Sequence, residues 1–214
     1  MKVFLIGANG QIGRLIVDLL KNSEEHTLTV MVRNEEQAKA LRDAGVEAVV
    51  GDLEGLVDQL AHVIEGSDAV IFSAGSGGQT GYDKTLLVDL DGAVKSMEAA
   101  EKAGTERFVI VSALQAHHRE NWNEAIKPYY VAKHYADRAL VASHLNYTIV
   151  RPGGLLNEPG TGKVRVAENV QRGSIPREDV ARVVVASITE EKTFRRAFDL
   201  TSGDTPIEEA LKGL

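Results

Sequence analysis

The chain has 214 residues, of which 43% are hydrophobic and 26% charged, so it has the composition of an ordinary globular protein and enough length for one domain with a large core. It contains no cysteine, which excludes disulfides, thiol nucleophiles and zinc–thiolate sites. The formal net charge of −7 argues against nucleic acid as the main partner, and no apolar stretch approaches a membrane span.

The first predicted strand, residues 2–6, ends in three glycines spaced three apart and leads directly into an amphipathic helix. Gly7 permits a tight turn, Gly10 lets backbone approach phosphates without a Cβ in the way, and Gly13 lets the helix pack close to the strand. Free N–H groups at the helix start, helped by the helix dipole, face an anion. The pattern predicts a site for the pyrophosphate of a dinucleotide, the alternative being a glycine-rich turn without a ligand.

The same apolar run argues against a signal peptide, because it forms a strand and continues into the glycine turn. We therefore expect a cytoplasmic protein with a small-molecule substrate and no membrane or nucleic-acid partner. It is expected to be a monomer or a homodimer.

Predicted strands and helices alternate along the chain. Strands are expected at residues 2–6, 27–32, 46–50, 68–72, 106–111, 146–150 and 197–201. Helices are expected at residues 11–21, 35–44, 56–64, 83–103, 129–142 and 177–189. This alternation predicts an α/β fold, a single doubly wound Rossmann domain over residues 1–214, with a parallel sheet of about seven strands and helices on both faces.

The second strand is followed by Arg33, at the position where NAD sites place an acidic residue on the ribose 2′-hydroxyl. A guanidinium there pairs with a 2′-phosphate, and Arg14 at the start of the first helix could help. The cofactor predicted is therefore NADP rather than NAD. The alternative is that Arg33 is a solvated residue at the start of the next helix.

Two further strand ends carry candidate cofactor contacts. Asp52, followed by Leu53, could accept from the adenine amino group, or could form an N-cap or Asx turn. Ala74 and Gly75 are small enough for backbone to lie against a dinucleotide. The loop at residues 76–81 either closes over phosphates or is an ordinary flexible loop.

Candidate acid–base chemistry is carried by Tyr129 and Lys133, which lie four apart and therefore on one face of a helix. A protonated lysine lowers the pKa of a nearby phenol, which then serves as general acid or base. Ser112, at the end of the fifth strand, could donate to the same substrate oxygen. Tyr130 or Tyr135 could face the site in place of Tyr129.

Residues 151–176 interrupt the alternation and are rich in glycine and proline. The segment follows the sixth strand, at the carboxyl edge where ligands bind in such sheets. It is too long for an ordinary connection, so we expect a wall or lid over the substrate, with a short strand near residues 164–166. The alternative is a disordered excursion.

These motifs together resemble the atypical short-chain dehydrogenase/reductases, in their NAD(P)H-binding, NmrA-like branch. The motifs are GANGQIG at 7–13, Arg33, GDL at 51–53, SAG at 73–75, VSALQ at 111–115, YYVAK at 129–133 and TIVRPGG at 148–154. The resemblance extends over nearly the whole chain and is strongest to small bacterial proteins catalogued as sugar epimerases or NAD(P)-binding proteins. It implies strand order 3-2-1-4-5-6-7 and implies that Pro152, Gly153 and Gly154 border the nicotinamide.

Two features depart from the wider family. Extended relatives carry an asparagine in an N-x-x-G motif where this chain has Asp89. Nucleotide-sugar epimerases also carry a sizeable C-terminal domain, whereas little more than 60 residues follow Arg151 here. The leading hypothesis is therefore an NADP(H)-dependent oxidoreductase of a small carbonyl, quinone or flavin. A nucleotide-sugar epimerase or dehydratase, and an NADP(H)-sensing module without turnover, are the alternatives.

The predicted site combines these residues. The catalytic candidates are Ser112, Tyr129 and Lys133. The cofactor-binding candidates are Gly7, Asn9, Gly10, Gln11, Ile12, Gly13, Arg14, Arg33, Asp52, Leu53, Ala74, Gly75, Ser112, Lys133, Pro152, Gly153 and Gly154. No metal site is predicted, because the six histidines have no metal-ligand spacing. His117 and His118 are expected on an exposed polar loop, the alternative being that they line the substrate cleft.

Overall fold

The computed structural model describes residues 1–214 and is built around a nine-stranded sheet in the order β11-β8-β10-β6-β5-β4-β1-β2-β3. The parallel strands are β1 (Lys2–Ile6), β2 (Thr27–Val32), β3 (Glu47–Val50), β4 (Ala69–Phe72), β5 (Arg107–Val111), β6 (Asn146–Pro152) and β10 (Arg196–Ser202). With β10 as the seventh predicted strand, this confirms the expected order and the α/β fold.

The strand count of about seven is corrected to nine by two short strands at one edge. Strands β8 (Lys163–Ala167) and β11 (Thr205–Pro206) pair antiparallel there. Strand β8 is the one expected near residues 164–166. A separate parallel pair is formed by β7 (Gly154–Leu156) and β9 (Ser174–Pro176). Half of residues 151–176 is therefore tied into sheet structure.

Helices cover both faces of the sheet, as predicted. They are α1 (Gln11–Leu20), α2 (Glu35–Asp43), α3 (Val57–Ile64), α4 (Tyr82–Lys84), α5 (Ala93–Lys102), α6 (Lys127–Ala142), α7 (Arg177–Ala186) and α8 (Ile207–Lys212). The single helix expected at 83–103 is instead α4, a π-helical segment at Thr85–Gly92, and α5. None of the helices combines the length and apolar character that a bilayer crossing requires.

Two hydrophobic cores lie on opposite faces because side chains alternate along each strand. On β1, Val3 and Leu5 pack against the layer of α1 and α7, whereas Phe4 and Ile6 pack against the layer of α3, α5 and α6. All four side chains are buried, and each contributes roughly 1.5–3 kcal/mol relative to an exposed position. This rigid sheet fixes the strand ends from which the candidate site is built.

The loop before β8 is held by the first turn of α7. Asp179 is fully buried and accepts hydrogen bonds from the backbone N–H groups of Thr161 and Gly162, each at 2.8 Å. Glu178 accepts from the N–H of Gly160 at 2.8 Å. These contacts place the segment after β6 against the carboxyl edge of the sheet.

Candidate functional site

A cleft of about 280 Å³, here called the dinucleotide cleft, opens at the carboxyl ends of β1, β2, β3 and β4. Its lining includes the glycine turn at residues 7–10, together with Arg33, Asp52 and Gly75. Leu53 and Ala74 also line it. The fold therefore brings together the ends of four strands that sequence analysis treated separately.

The three glycines of the turn exclude a side chain for different steric reasons. Gly7 has φ +98°, and a Cβ on it would lie 2.5 Å from the backbone nitrogen of Ala74. A Cβ on Gly13 would lie 2.0 Å from the carbonyl oxygen of Gly7, so this glycine allows helix and turn to pack together. A Cβ on Gly10 would meet only the carbonyl oxygens of Gly7 at 3.3 Å and Ser73 at 4.0 Å. Gly10 is thus the position where a side chain would enter the cleft.

The N-terminus of α1 offers unused backbone donors. The first helical bond runs from the N–H of Arg14 to the carbonyl of Gly10, which leaves the N–H groups of Gln11, Ile12 and Gly13 without helical acceptors. Gly10 is the N-cap and has no side chain to satisfy them. The glycine cradle and these donors fit the pyrophosphate of a dinucleotide.

The two candidate arginines differ in position. Arg33 lines the cleft, is exposed, and has no carboxylate within 4.0 Å, so its guanidinium is available to an anion. Arg14 is exposed on α1 and does not line the cleft. The geometry supports Arg33 as a contact for a ligand in this cleft, and a contact from Arg14 stays a prediction.

Asp52 forms the turn that was one of its two interpretations, and it also lies in the wall of the cleft. One carboxylate oxygen accepts from the N–H of Glu54 at 2.9 Å, which is an Asx turn, while the residue lines the cleft. Sequence analysis missed that Glu54 also forms an ion pair with Lys84 at 2.6 Å, between two cleft-lining segments. The loop at residues 76–81 contributes Ser76 and Thr80 to the lining. No local sequence pattern could have predicted an ion pair between residues 54 and 84.

A buried ion pair lies next to the cleft. The Lys133 ammonium is 3.7 Å from the Asp89 carboxylate and donates to the carbonyl of Val111 at 3.1 Å. Both side chains are at most 4% exposed. The other Asp89 oxygen accepts from the N–H of Ser76 at 3.0 Å, and a Cβ on Gly75 would lie 3.1 Å from Asp89. Gly75 is therefore the point where the cleft meets the pair.

Tyr129 lies beside this pair, with its ring centroid 5.8 Å from the Lys133 ammonium. Tyr130 instead packs against Ala113 and Ala116, and Tyr135 is exposed on the outer face of α6. Of the three tyrosines considered, Tyr129 is the one that accompanies Lys133. Ser112 is also buried, and its hydroxyl has no hydrogen-bond partner in the protein.

The expected effect of Lys133 on the phenol is reversed. Burial raises the pKa of Tyr129 above its ordinary value, and the Asp89 carboxylate raises it further. The expectation considered the lysine charge alone. It left out burial, which is the larger cause, and the Asp89 carboxylate, which lies 3.7 Å from the Lys133 ammonium. In this environment the phenol keeps its proton.

Pro152, Gly153 and Gly154 lie at the end of β6 and do not line the dinucleotide cleft. The N–H of Gly153 donates to the carbonyl of Leu200, and that of Gly154 donates to the carbonyl of Gly173, each at 2.9 Å. A Cβ on Gly153 would lie 2.3 Å from the same Gly173 oxygen. Close packing therefore accounts for Gly153 without a ligand.

The pair His117 and His118 is less exposed than expected. His117 is 21% exposed and its Nδ1 lies 4.0 Å from the fully buried Asp199 carboxylate. His118 lines a second cavity beyond the end of β5. The expectation of an exposed loop failed because the loop folds back over β10.

Comparisons with known proteins agree on one family. The profile described as NAD(P)H-binding matches residues 7–191. The Bacillus subtilis (strain 168) protein named "Uncharacterized sugar epimerase YhfK" is 64% identical over 214 residues, with both chains fully covered.

Two solved structures agree over the whole chain. A Bacillus halodurans protein provisionally described as an NAD-dependent epimerase/dehydratase has a TM-score of 0.93 at 43% identity, with both chains fully covered. The Lactococcus lactis oxidoreductase ylbE has a TM-score of 0.91 at 33% identity, covering 100% of this chain and 96% of that one. The chain therefore belongs to the NAD(P)H-binding family of Rossmann-fold, atypical short-chain dehydrogenase/reductase proteins, which contains oxidoreductase-like and epimerase-like members.

Proposed function

We propose that this protein is an NADP(H)-dependent reductase of a small carbonyl compound, quinone or flavin. The observation that carries the proposal is the set of polar groups beside the cleft: the buried Ser112, the buried Lys133–Asp89 pair and the partly buried Tyr129. We further propose that residues 1–214 act as one domain, with residues 151–176 on the substrate side.

The cofactor would be held mainly by backbone. The N–H groups at the start of α1 would bind the pyrophosphate, and Arg33 would pair with the 2′-phosphate. Asp52 has a carboxylate oxygen left to accept from an adenine amino group. Lys133 and Pro152 lie towards the expected nicotinamide end, at the ends of β5 and β6. A bound reduced nicotinamide would supply hydride to the substrate.

The chain's own residues would handle the proton. The phenol of Tyr129 would donate a proton to a substrate oxygen. It is protonated at neutral pH, and burial and Asp89 raise its pKa further in the cofactor-free chain. The buried hydroxyl of Ser112 is free to donate a hydrogen bond to the same oxygen. Asp89 and Val111 hold the Lys133 ammonium in place.

The names of two relatives favour an epimerase or dehydratase as the second candidate. Oxidation of a sugar hydroxyl requires a base that removes its proton. A phenol whose pKa is raised by burial and by Asp89 is rarely deprotonated near neutral pH, so this candidate needs another base.

A turnover screen tests the proposal. NADPH oxidation is measured with aldehydes, ketones, quinones and flavins, for wild type and Tyr129→Phe. The variant should bind NADP normally and lose roughly 10²–10⁴ in turnover, because it lacks the proton donor. Equal rates for both proteins would remove Tyr129 from the mechanism. NADP binding with no turnover of any substrate would favour the sensing module.

A further inference from the structure

The second cavity, here called the polar pocket, lies between residues 115–121 and residues 169–172 and has a volume of about 550 Å³. Only one of its eight lining residues, Val170, is hydrophobic. The volume suits a small molecule. The lining favours an occupant that forms hydrogen bonds over a flat apolar ring.

A buried carboxylate joins the two walls of the polar pocket. Asp199 is fully buried and accepts from the backbone N–H groups of Gln115 at 3.2 Å and Val170 at 3.1 Å. It also accepts from the Gln115 side chain at 2.8 Å. Gln115 has φ +62°, a conformation that side-chain-bearing residues rarely adopt, so these bonds hold a strained backbone in place. The walls are therefore preorganised.

The groups left free in the pocket are mainly donors. His117 and His118 both contact the side-chain oxygen of Asn169, at 2.9 and 2.6 Å, which leaves the Asn169 amide N–H groups without a protein acceptor. The Glu120 carboxylate is 3.2 Å from His118 Nδ1. Arg172 contacts only the backbone carbonyl of Asn121 and has no carboxylate within 4.0 Å. The lining thus holds one guanidinium without an ion-pair partner, Arg172, and one carboxylate, Glu120, which faces a histidine that is charged only when protonated.

The polar pocket is close to the proposed reaction site. Gln115 is three residues after Ser112, so their Cα atoms are at most about 11 Å apart. Asp199, which is buried behind Gln115 and Val170, pairs in register with Arg151, which directly precedes Pro152. The polar pocket and the proposed proton donors therefore lie at the same edge of the sheet.

We propose that the polar pocket binds a carboxylate of the substrate, so that the compound reduced is an aldehyde or ketone that also carries a carboxylate. The Arg172 guanidinium forms paired, charge-assisted hydrogen bonds to carboxylates, and the Asn169 amide adds a further donor. The assignment of the carbonyl as the reacting group rests on the proposed function. The carboxylate site itself does not depend on turnover.

Isothermal titration calorimetry on the full chain tests the site, with and without saturating NADP. The probes are 4-oxopentanoate and 2-pentanone, which differ by a carboxylate in place of a methyl group. Trp122 is the sole tryptophan and donates to the carbonyl of Ala116 at 3.1 Å, so its fluorescence reports on this wall. We expect saturable binding of 4-oxopentanoate with a Trp122 signal, and affinity at least about tenfold weaker for 2-pentanone.

The matched variants are Arg172→Gln and, as control, Arg196→Gln, an exposed arginine on β10 outside the pocket. Arg172→Gln should weaken 4-oxopentanoate binding roughly tenfold or more, with an unchanged circular dichroism spectrum, and Arg196→Gln should match wild type. Equal affinity for the two probes, an unaffected Arg172→Gln variant, or no saturable binding in either state would overturn the proposal. Binding without oxidation of NADPH by 4-oxopentanoate would support the carboxylate site and leave the reductase function to be decided by the turnover screen.

Discussion

The dinucleotide cleft and the polar pocket lie at the same edge of one sheet but are built from different groups. The cleft is made largely of backbone, with glycines and unused N–H groups at the start of α1. The polar pocket is made of side chains, with Asp199 and Gln115 joining its walls. Substitutions that add side-chain atoms should therefore impair binding in the cleft, whereas substitutions that remove them should destabilise the polar pocket.

The largest effect is expected in the cleft from Gly10→Val. Its backbone has φ −67°, which valine adopts, but its side chain would occupy the space of the pyrophosphate. NADPH titration should show loss of binding while circular dichroism shows a folded chain. Gly13→Val is the contrasting variant, because its Cβ would overlap the Gly7 carbonyl and lower the melting temperature. Normal NADPH binding by folded Gly10→Val would contradict the assignment of the phosphate site.

Asp199→Ala, in the polar pocket, should lower the stability of the fold without changing cofactor binding. It leaves three buried N–H donors without an acceptor, which should cost about 2–4 kcal/mol in the free energy of unfolding. Urea denaturation measures this cost. Asp199→Asn keeps one acceptor oxygen and should lose less, while NADP affinity stays normal in both variants. A fully stable Asp199→Ala protein would show that the network does not support the fold.

Arg33→Ala tests the one charged group that the cleft places toward a 2′-phosphate. Loss of a charge-assisted pair should cost about 1.5–3 kcal/mol in binding free energy for NADP, with little change for NAD. Arg14→Ala should change neither affinity, because Arg14 does not line the cleft. Dissociation constants for both cofactors decide the matter, and an equal loss for the two would reject Arg33 as the selector.

The smallest effect concerns the pH at which Tyr129 ionises. Asp89 raises the pKa of Tyr129, so Asp89→Asn should lower the ionisation midpoint by about one pH unit, and Lys133→Met should raise it. The midpoint is measured by tyrosinate absorbance of the cofactor-free chain, with Tyr129→Phe subtracted. In Asp89→Asn, the alkaline pH at which reductase activity is lost should be lower than in wild type by the same amount. An unchanged midpoint in Asp89→Asn would show that Asp89 does not control the phenol.

The interior of the sheet was predictable because local patterns decide it. Apolar runs such as residues 107–111 became buried parallel strands, and the glycine turn at residues 7–13 became the entry to α1. Strand β8 was expected from its sequence pattern. Strand β11 has only two residues, which is too short for a recognisable pattern. The π-helical segment at Thr85–Gly92 has an ordinary helical sequence, and its conformation accompanies the burial of Asp89 within it.

By itself the sequence determined the Rossmann architecture, the family and the position of the glycine turn, because strand periodicity, glycine spacing and helix starts are local properties. Tertiary structure alone decided what surrounds each charge. Asp89 and Lys133 are 44 positions apart in sequence but 3.7 Å apart in the fold. Burial and Asp89 together raise the pKa of Tyr129, which the lysine alone was expected to lower. The polar pocket likewise needs Gln115, Asn169 and Asp199 from three distant segments. Electrostatic and hydrogen-bond energies depend on distance and burial, which only the folded chain fixes.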